Sequence, residues 1–179
     1  TTHFTARVRL VTKPARAARR ERVPQPADGK TVDAGDIYRI YFHGPAYQVL
    51  ESSWRIGDEV VGLYSANLPP NHHPSDLPTL VSPRGIELCF QTASLWELAS
   101  RSCMGLPYRI EQVLILGSAE TAKTRLYSVV KPGSEGSFDA ELVDEKGTVY
   151  LALKGYRTAA LPDVVGSDLL KPIQSALSD

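Results

Sequence analysis

The sequence predicts an α+β domain in which a curved antiparallel sheet wraps around one central helix. Three observations support this. A single stretch, from Ser82 to about Ser102, has the cap and the apolar spacing of a long helix. Four strand-like segments joined by turns follow it, and two more precede it. Runs of strands on either side of one helix make an α+β layout.

Ser82 suits an N-cap, because a serine hydroxyl accepts from the free backbone N–H groups of a first turn. Pro83 suits the first turn, where its missing N–H costs nothing. Ile86, Cys89, Phe90, Ala93 and Trp96 then follow helical spacing, and Gly105-Leu106-Pro107 ends the pattern. Before the helix, Tyr47–Trp54 and Glu59–Tyr64 flank Gly57-Asp58 and read as two strands and a tight turn. Ile37–Phe42 is aromatic and apolar until His43-Gly44-Pro45 breaks it. Residues 66–82 hold four prolines and two histidines and read as a loop. After the helix, the strand-like segments are 108–116, 123–130, 137–143 and 149–157. Gly133–Gly136 and Asp144–Gly147 supply turns between the last three. A sheet of this kind around one helix is the hot-dog fold.

At the N-terminus, Thr5–Val11 alternates polar and apolar residues, as a half-buried strand does. It is either the first strand of this domain or the last of an upstream one. Lys13, Arg16, Arg19, Arg20 and Arg22 share their stretch with one acid, Glu21, and with Pro14, Pro24 and Pro26. Such a stretch reads as a linker. The expected divisions are therefore a strand at 1–11 belonging to a preceding hot-dog, a basic linker at 12–36, the domain at 37–162, and a tail, short helix or linker at 163–179.

Composition excludes several function classes. The chain has 20 basic and 20 acidic side chains and no net charge, so nothing points to a nucleic-acid or membrane partner. No apolar run approaches the roughly 20 residues that span a bilayer, and Thr1-Thr2-His3-Phe4 does not read as a signal peptide. Cys89 and Cys103, far apart along the expected helix, are not expected to pair, which fits the reducing cytoplasm. There is no glycine-rich phosphate loop, so no nucleotide is implied.

Three segments resemble the dehydratase domains of polyketide synthases and polyunsaturated-fatty-acid-type synthases. Tyr41-Phe42-His43-Gly44-Pro45-Ala46-Tyr47-Gln48 is similar to the Gly-Pro-aromatic-Gln segment opening that family's second hot-dog. Pro83-Arg84-Gly85-Ile86-Glu87-Leu88-Cys89-Phe90-Gln91 matches the spacing of its Pro-x-x-x-Asp-x-x-x-Gln/His motif, with Glu87 where aspartate is usual. Leu106-Pro107-Tyr108 resembles the Leu-Pro-Phe segment that follows. The resemblance spans about residues 38–160. It implies the C-terminal hot-dog half of a double hot-dog, acting on a β-hydroxyacyl chain on the phosphopantetheine arm of an acyl carrier protein, with no bound cofactor or metal. The implied partners are that carrier protein and an upstream hot-dog half or a second copy of the chain. The family's His-x-x-x-Gly-x-x-x-x-Pro motif has no counterpart, since His3, His43, His72 and His73 all lack that spacing. The catalytic histidine is therefore expected outside this chain.

Dehydration needs a base for the α-proton and an acid for the departing hydroxyl. The resemblance casts Glu87 as the acid, a role that needs burial to keep a carboxyl protonated. Gln91, one turn on and on the same face, would hold it. Tyr41, His43, Gly44, Pro45 and Pro107 are the expected substrate contacts. A structural ring at His43 and a loop anchor at Tyr41 are the competing readings. Cys89, Trp54 and Trp96 are expected in the core, and His72-His73 in a loop. Two other functions remain open: a non-catalytic acyl-binding scaffold, and a stand-alone hot-dog thioesterase.

Overall fold

The computed structural model describes residues 1–12, 18–21, 23, 25–26, 29–70, 72–74, 79, 81–119, 122–162 and 165–178. The expected long helix is α2, Pro83–Arg101, preceded by the four-residue α1, Ala34–Ile37, and followed by α3, Ser167–Leu177. The strands are β1 (Val32–Asp33), β2 (Leu50–Ile56), β3 (Glu59–Tyr64), β4 (Gly105–Arg109), β5 (Gln112–Ile115), β6 (Leu126–Pro132), β7 (Phe138–Asp144) and β8 (Val149–Ala160). They form one antiparallel sheet in the order β1-β2-β3-β6-β7-β8-β4, with β5 also on β8. This is the hot-dog architecture.

Local chemistry sets the boundaries. Ser82 caps α2 by accepting from Gly85 N at 3.2 Å, and Ser102 ends it in the left-handed region at φ 56°. In the β2–β3 hairpin, Ile56 faces Glu59 across Gly57, whose φ of +59° suits a residue without Cβ. The segment expected as one strand over 108–116 is two. β5 pairs with residues 151–154 of β8 and β4 with 157–160, and β8 bends between them at Gly155. A Cβ on Gly155, at φ +61°, would stand 2.6 Å from Glu111 Cδ.

Strand alternation divides the apolar residues between two faces. Val60, Val130, Phe138, Ala140, Leu142, Leu151 and Leu153 turn toward α2, where they meet Leu88, Cys89, Leu95 and Leu98. Cys89 is a free, buried thiol whose pKa is pushed far up by burial, which fits its expected core role. Trp54, Val61, Leu63, Tyr127, Val129 and Val149 turn outward and form a second cluster with Val23. Trp54 is core, as expected, but on this outer face. Trp96 packs at the margin of the inner core and meets Phe138 edge to face.

At both ends of the chain the structure adds to what the sequence left open. Residues 1–12 form no strand and are exposed throughout, so the alternation at Thr5–Val11 finds no sheet edge among the described residues. The 12–36 stretch is not simply a spacer. Lys13–Ala17, Arg22 and Pro24 lie outside the described residues, but Arg19 bridges Thr148. Arg20 pairs with Glu59 at 2.9 Å and Glu141 at 3.4 Å. The same stretch contains β1 and the start of α1, capped by Asp33. At the C-terminus, the short helix that the sequence allowed is α3, and it docks on α2: Leu170, Ile173 and Leu177 are buried on one face. Ile173→Ala should therefore destabilise the domain by about 2–5 kcal/mol in a denaturant titration. A change no larger than that of an exposed alanine substitution would mean α3 is not part of the core. None of the described helices is long and apolar enough to cross a membrane.

Candidate active site

The segment between α1 and β2 lies against the N-terminal half of α2 and is fixed there by tyrosines. Tyr38 accepts from Leu50 N at 2.8 Å and donates to Gln91 Oε1 at 2.8 Å. Tyr41 donates to the Gln91 carbonyl at 2.8 Å. Burial pushes both phenols well above their ordinary pKa, so they remain hydrogen-bond donors. Tyr41 is buried and its hydroxyl is committed to the helix backbone, which favours the loop-anchor role.

Gln91 is only 2% exposed. Its oxygen accepts from Tyr38, while its nitrogen donates to the Tyr47 carbonyl at 2.9 Å and to Glu87 Oε1 at 3.0 Å. With both N–H groups engaged, the amide holds the carboxyl and has no donor left for a ligand. The expected Glu87–Gln91 pair is thus formed. Glu87 has a second neighbour that spacing could not reveal: His43 Nε2 lies 2.9 Å from the same oxygen. The Glu87 and His43 side chains are 22% and 20% exposed, so the pair can be reached from outside. Arg84, one turn before Glu87, donates to the carbonyls of Ala46 and Pro69 and secures the loop to the helix.

Other expected contacts are arranged differently. Gly44 starts a single helical turn, Pro45–Tyr47, and is exposed. Its φ is −69° and a Cβ there would meet nothing within 4 Å, so the backbone does not require glycine. Pro45 is also exposed, at the first position of that turn. Pro107 is not brought to Glu87. It pairs with Thr158 on β8, whose hydroxyl bonds Glu97, ten residues along α2 from Glu87 or about 15 Å of helix. His72 and His73 lie in a loop, and no metal-binding cluster forms among the described residues.

Glu97 was not anticipated, because nothing in its spacing distinguishes it from a solvated helix residue. It is 3% exposed, accepts from Thr158 Oγ1 at 2.6 Å and has Arg101 at 3.8 Å. Its Oε2 is buried without a partner among the described residues. Burial pushes its pKa up, against the opposing pull of Thr158 and Arg101. A carboxyl raised in the folded state binds its proton more tightly there. Its contribution to stability is full below the unfolded value of about 4.3 and is lost as pH rises through the folded value. Glu97→Gln should remove that decline, seen as a smaller pH dependence of the denaturation midpoint than in the wild type. Identical pH profiles would show that Glu97 is not proton-linked.

Residues 11–168 match the model of the family described as "Polyketide synthase dehydratase N-terminal domain". The chain belongs to this family. Among solved structures, it is similar to a trans-AT polyketide synthase dehydratase domain from Brevibacillus brevis, with 18% identity and a TM-score of 0.62 over 74% of this chain and 49% of that one. It is also similar to the dehydratase domain from the CurF module of the Curacin polyketide synthase, with 16% identity and a TM-score of 0.60 over 80% and 55%. For the dehydratase domain of MlnD from Bacillus amyloliquefaciens the values are 15%, 0.61, 83% and 55%. At these identities the likeness is one of fold. The dehydratase-family chain spans about half the length of these solved relatives. No curated relative matched the sequence.

Proposed function

We propose that this chain is the C-terminal hot-dog half of a polyketide synthase dehydratase domain, which removes water from a β-hydroxyacyl thioester on the phosphopantetheine arm of an acyl carrier protein. One observation carries the reading. A carboxyl near the start of the central helix, reachable from outside, is held by an amide and an imidazole on a single oxygen. That leaves its other oxygen to meet a departing hydroxyl. Glu87 would give its proton to the β-hydroxyl as the C–O bond breaks, while a base takes the α-proton and the electrons form the double bond.

The base is expected in the other hot-dog, in a His-x-x-x-Gly-x-x-x-x-Pro motif. Although the matching family's description speaks of an N-terminal domain, the order of the Gly-Pro-Ala-Tyr-Gln, Pro-x-x-x-Glu-x-x-x-Gln and Leu-Pro-Tyr segments supports the second half. The partner would be an upstream hot-dog half or a second copy of the chain.

The test is conversion of a 3-hydroxyacyl carrier-protein mimic to the enoyl product by the intact protein. Enoyl formation is expected. A protein that binds the mimic but leaves it unchanged would be an acyl-binding scaffold instead, and free acid as product would indicate a thioesterase. Dehydration by the isolated 179-residue chain would overturn the placement of the base outside it.

A further inference from the structure

We infer that His43 is a positioning residue of this site: with Gln91 it occupies Oε1 of Glu87, so that Oε2 is the oxygen carrying the transferable proton. The inference rests on the reading of Glu87 as the acid. A protonated carboxyl has one oxygen that only accepts and one that bears the hydrogen. Two nitrogens converge on Oε1, Gln91 Nε2 at 3.0 Å and His43 Nε2 at 2.9 Å. With both donating, Oε1 is the accepting oxygen and the acid proton belongs on Oε2.

The imidazole is held for this task. Phe42 stacks on it at 4.9 Å between centroids and Tyr41 meets it edge to face at 5.7 Å. Gln48 fixes its backbone by donating to the His43 carbonyl at 3.1 Å. The other ring nitrogen, Nδ1, is buried with no partner among the described residues. The tautomer with hydrogen on Nε2 suits this environment: it donates to Glu87 and leaves only a lone pair at Nδ1, whereas a hydrogen on Nδ1 would be a buried donor without an acceptor.

A ring that merely filled space between Phe42 and Tyr41 could be replaced by phenylalanine, and this separates the two roles. In the intact protein, His43→Phe should lower kcat about ten-fold or more with little change in KM, because the acid loses orientation and not substrate affinity. His43→Gln returns an N–H donor and should recover most of the loss. A His43→Phe variant as fast as wild type, or a glutamine variant no better than phenylalanine, would overturn the inference. A second measurement does not depend on turnover. Nitrogen-15 spectra of the histidine-labelled protein, with His43 assigned by its disappearance in His43→Phe, should show Nε2 protonated and Nδ1 bare, and both signals should move in Glu87→Gln. The opposite tautomer, or signals indifferent to Glu87, would also overturn it. If the wild type forms no enoyl product, the dehydratase reading fails while the spectra still decide the His43–Glu87 bond.

Discussion

Glu87→Gln is expected to slow enoyl formation by the intact protein by about 10²–10⁴-fold, the usual contribution of general acid catalysis. On the proposed reading of Glu87 as the acid, the substitution removes the transferable proton and little else. A glutamine at position 87 can still place its oxygen where Oε1 accepts from Gln91 and lies beside His43 Nε2. Stability and substrate binding should therefore stay close to wild type, and the loss should fall on kcat. Full activity would remove Glu87 from the reaction. Glu87→Asp tests the family difference directly. It withdraws the carboxyl by one methylene from partners now at 2.9 and 3.0 Å. It should also be impaired, because Gln91 is pinned by Tyr38 and Tyr47 and cannot follow. Recovery of full activity by aspartate would mean that the oxygen's position is less constrained than these bonds imply.

The central helix and its flanking strands were legible in the sequence because each has its own periodicity and its own turn or cap residues. Ser82 and Gly57 do the work expected of them. Glu87 and Gln91 were legible as a pair because four residues on a helix bring side chains together by geometry alone. The His43–Glu87 contact was not, since it depends on a loop 44 residues away being held against the helix by Tyr38, Tyr41 and Arg84. Glu97 was hidden for a related reason: its hydrogen-bond partner, Thr158 of β8, lies 61 residues away in sequence. β1 and α1, two and four residues long, are too short to show any period, so β1 and the start of α1 fall inside the expected linker. Thr5–Val11 shows the opposite case, a strand-like alternation without a partner strand among the described residues.

Gly62→Ala is expected to destabilise the domain by about 3 kcal/mol, at the upper end of overpacking costs. Gly62 lies on the face of β3 that α2 crosses. A Cβ there would stand 2.3 Å from Thr92 Oγ1, 2.6 Å from Leu50 Cδ2 and 2.8 Å from Ser128 Oγ. None of the three can easily yield. The Thr92 hydroxyl donates to the Leu88 carbonyl at 2.7 Å and meets Ser128 Oγ at 2.5 Å, so moving it breaks a buried bond. Leu50 is fully buried and pinned through its N–H to Tyr38. The relief left to the structure is for α2 to lift from the sheet. Glu87 and Gln91 lie five residues and one residue before Thr92 on that helix, so their alignment with the Tyr38–Tyr47 loop should suffer in proportion. Thr92→Ala removes the closest atom and should restore part of the loss in the double variant, giving a coupling energy of about 1 kcal/mol in a denaturation cycle. Strict additivity of the two substitutions would show that the crowding is absorbed elsewhere, and that the spacing of helix and sheet is not set at Gly62.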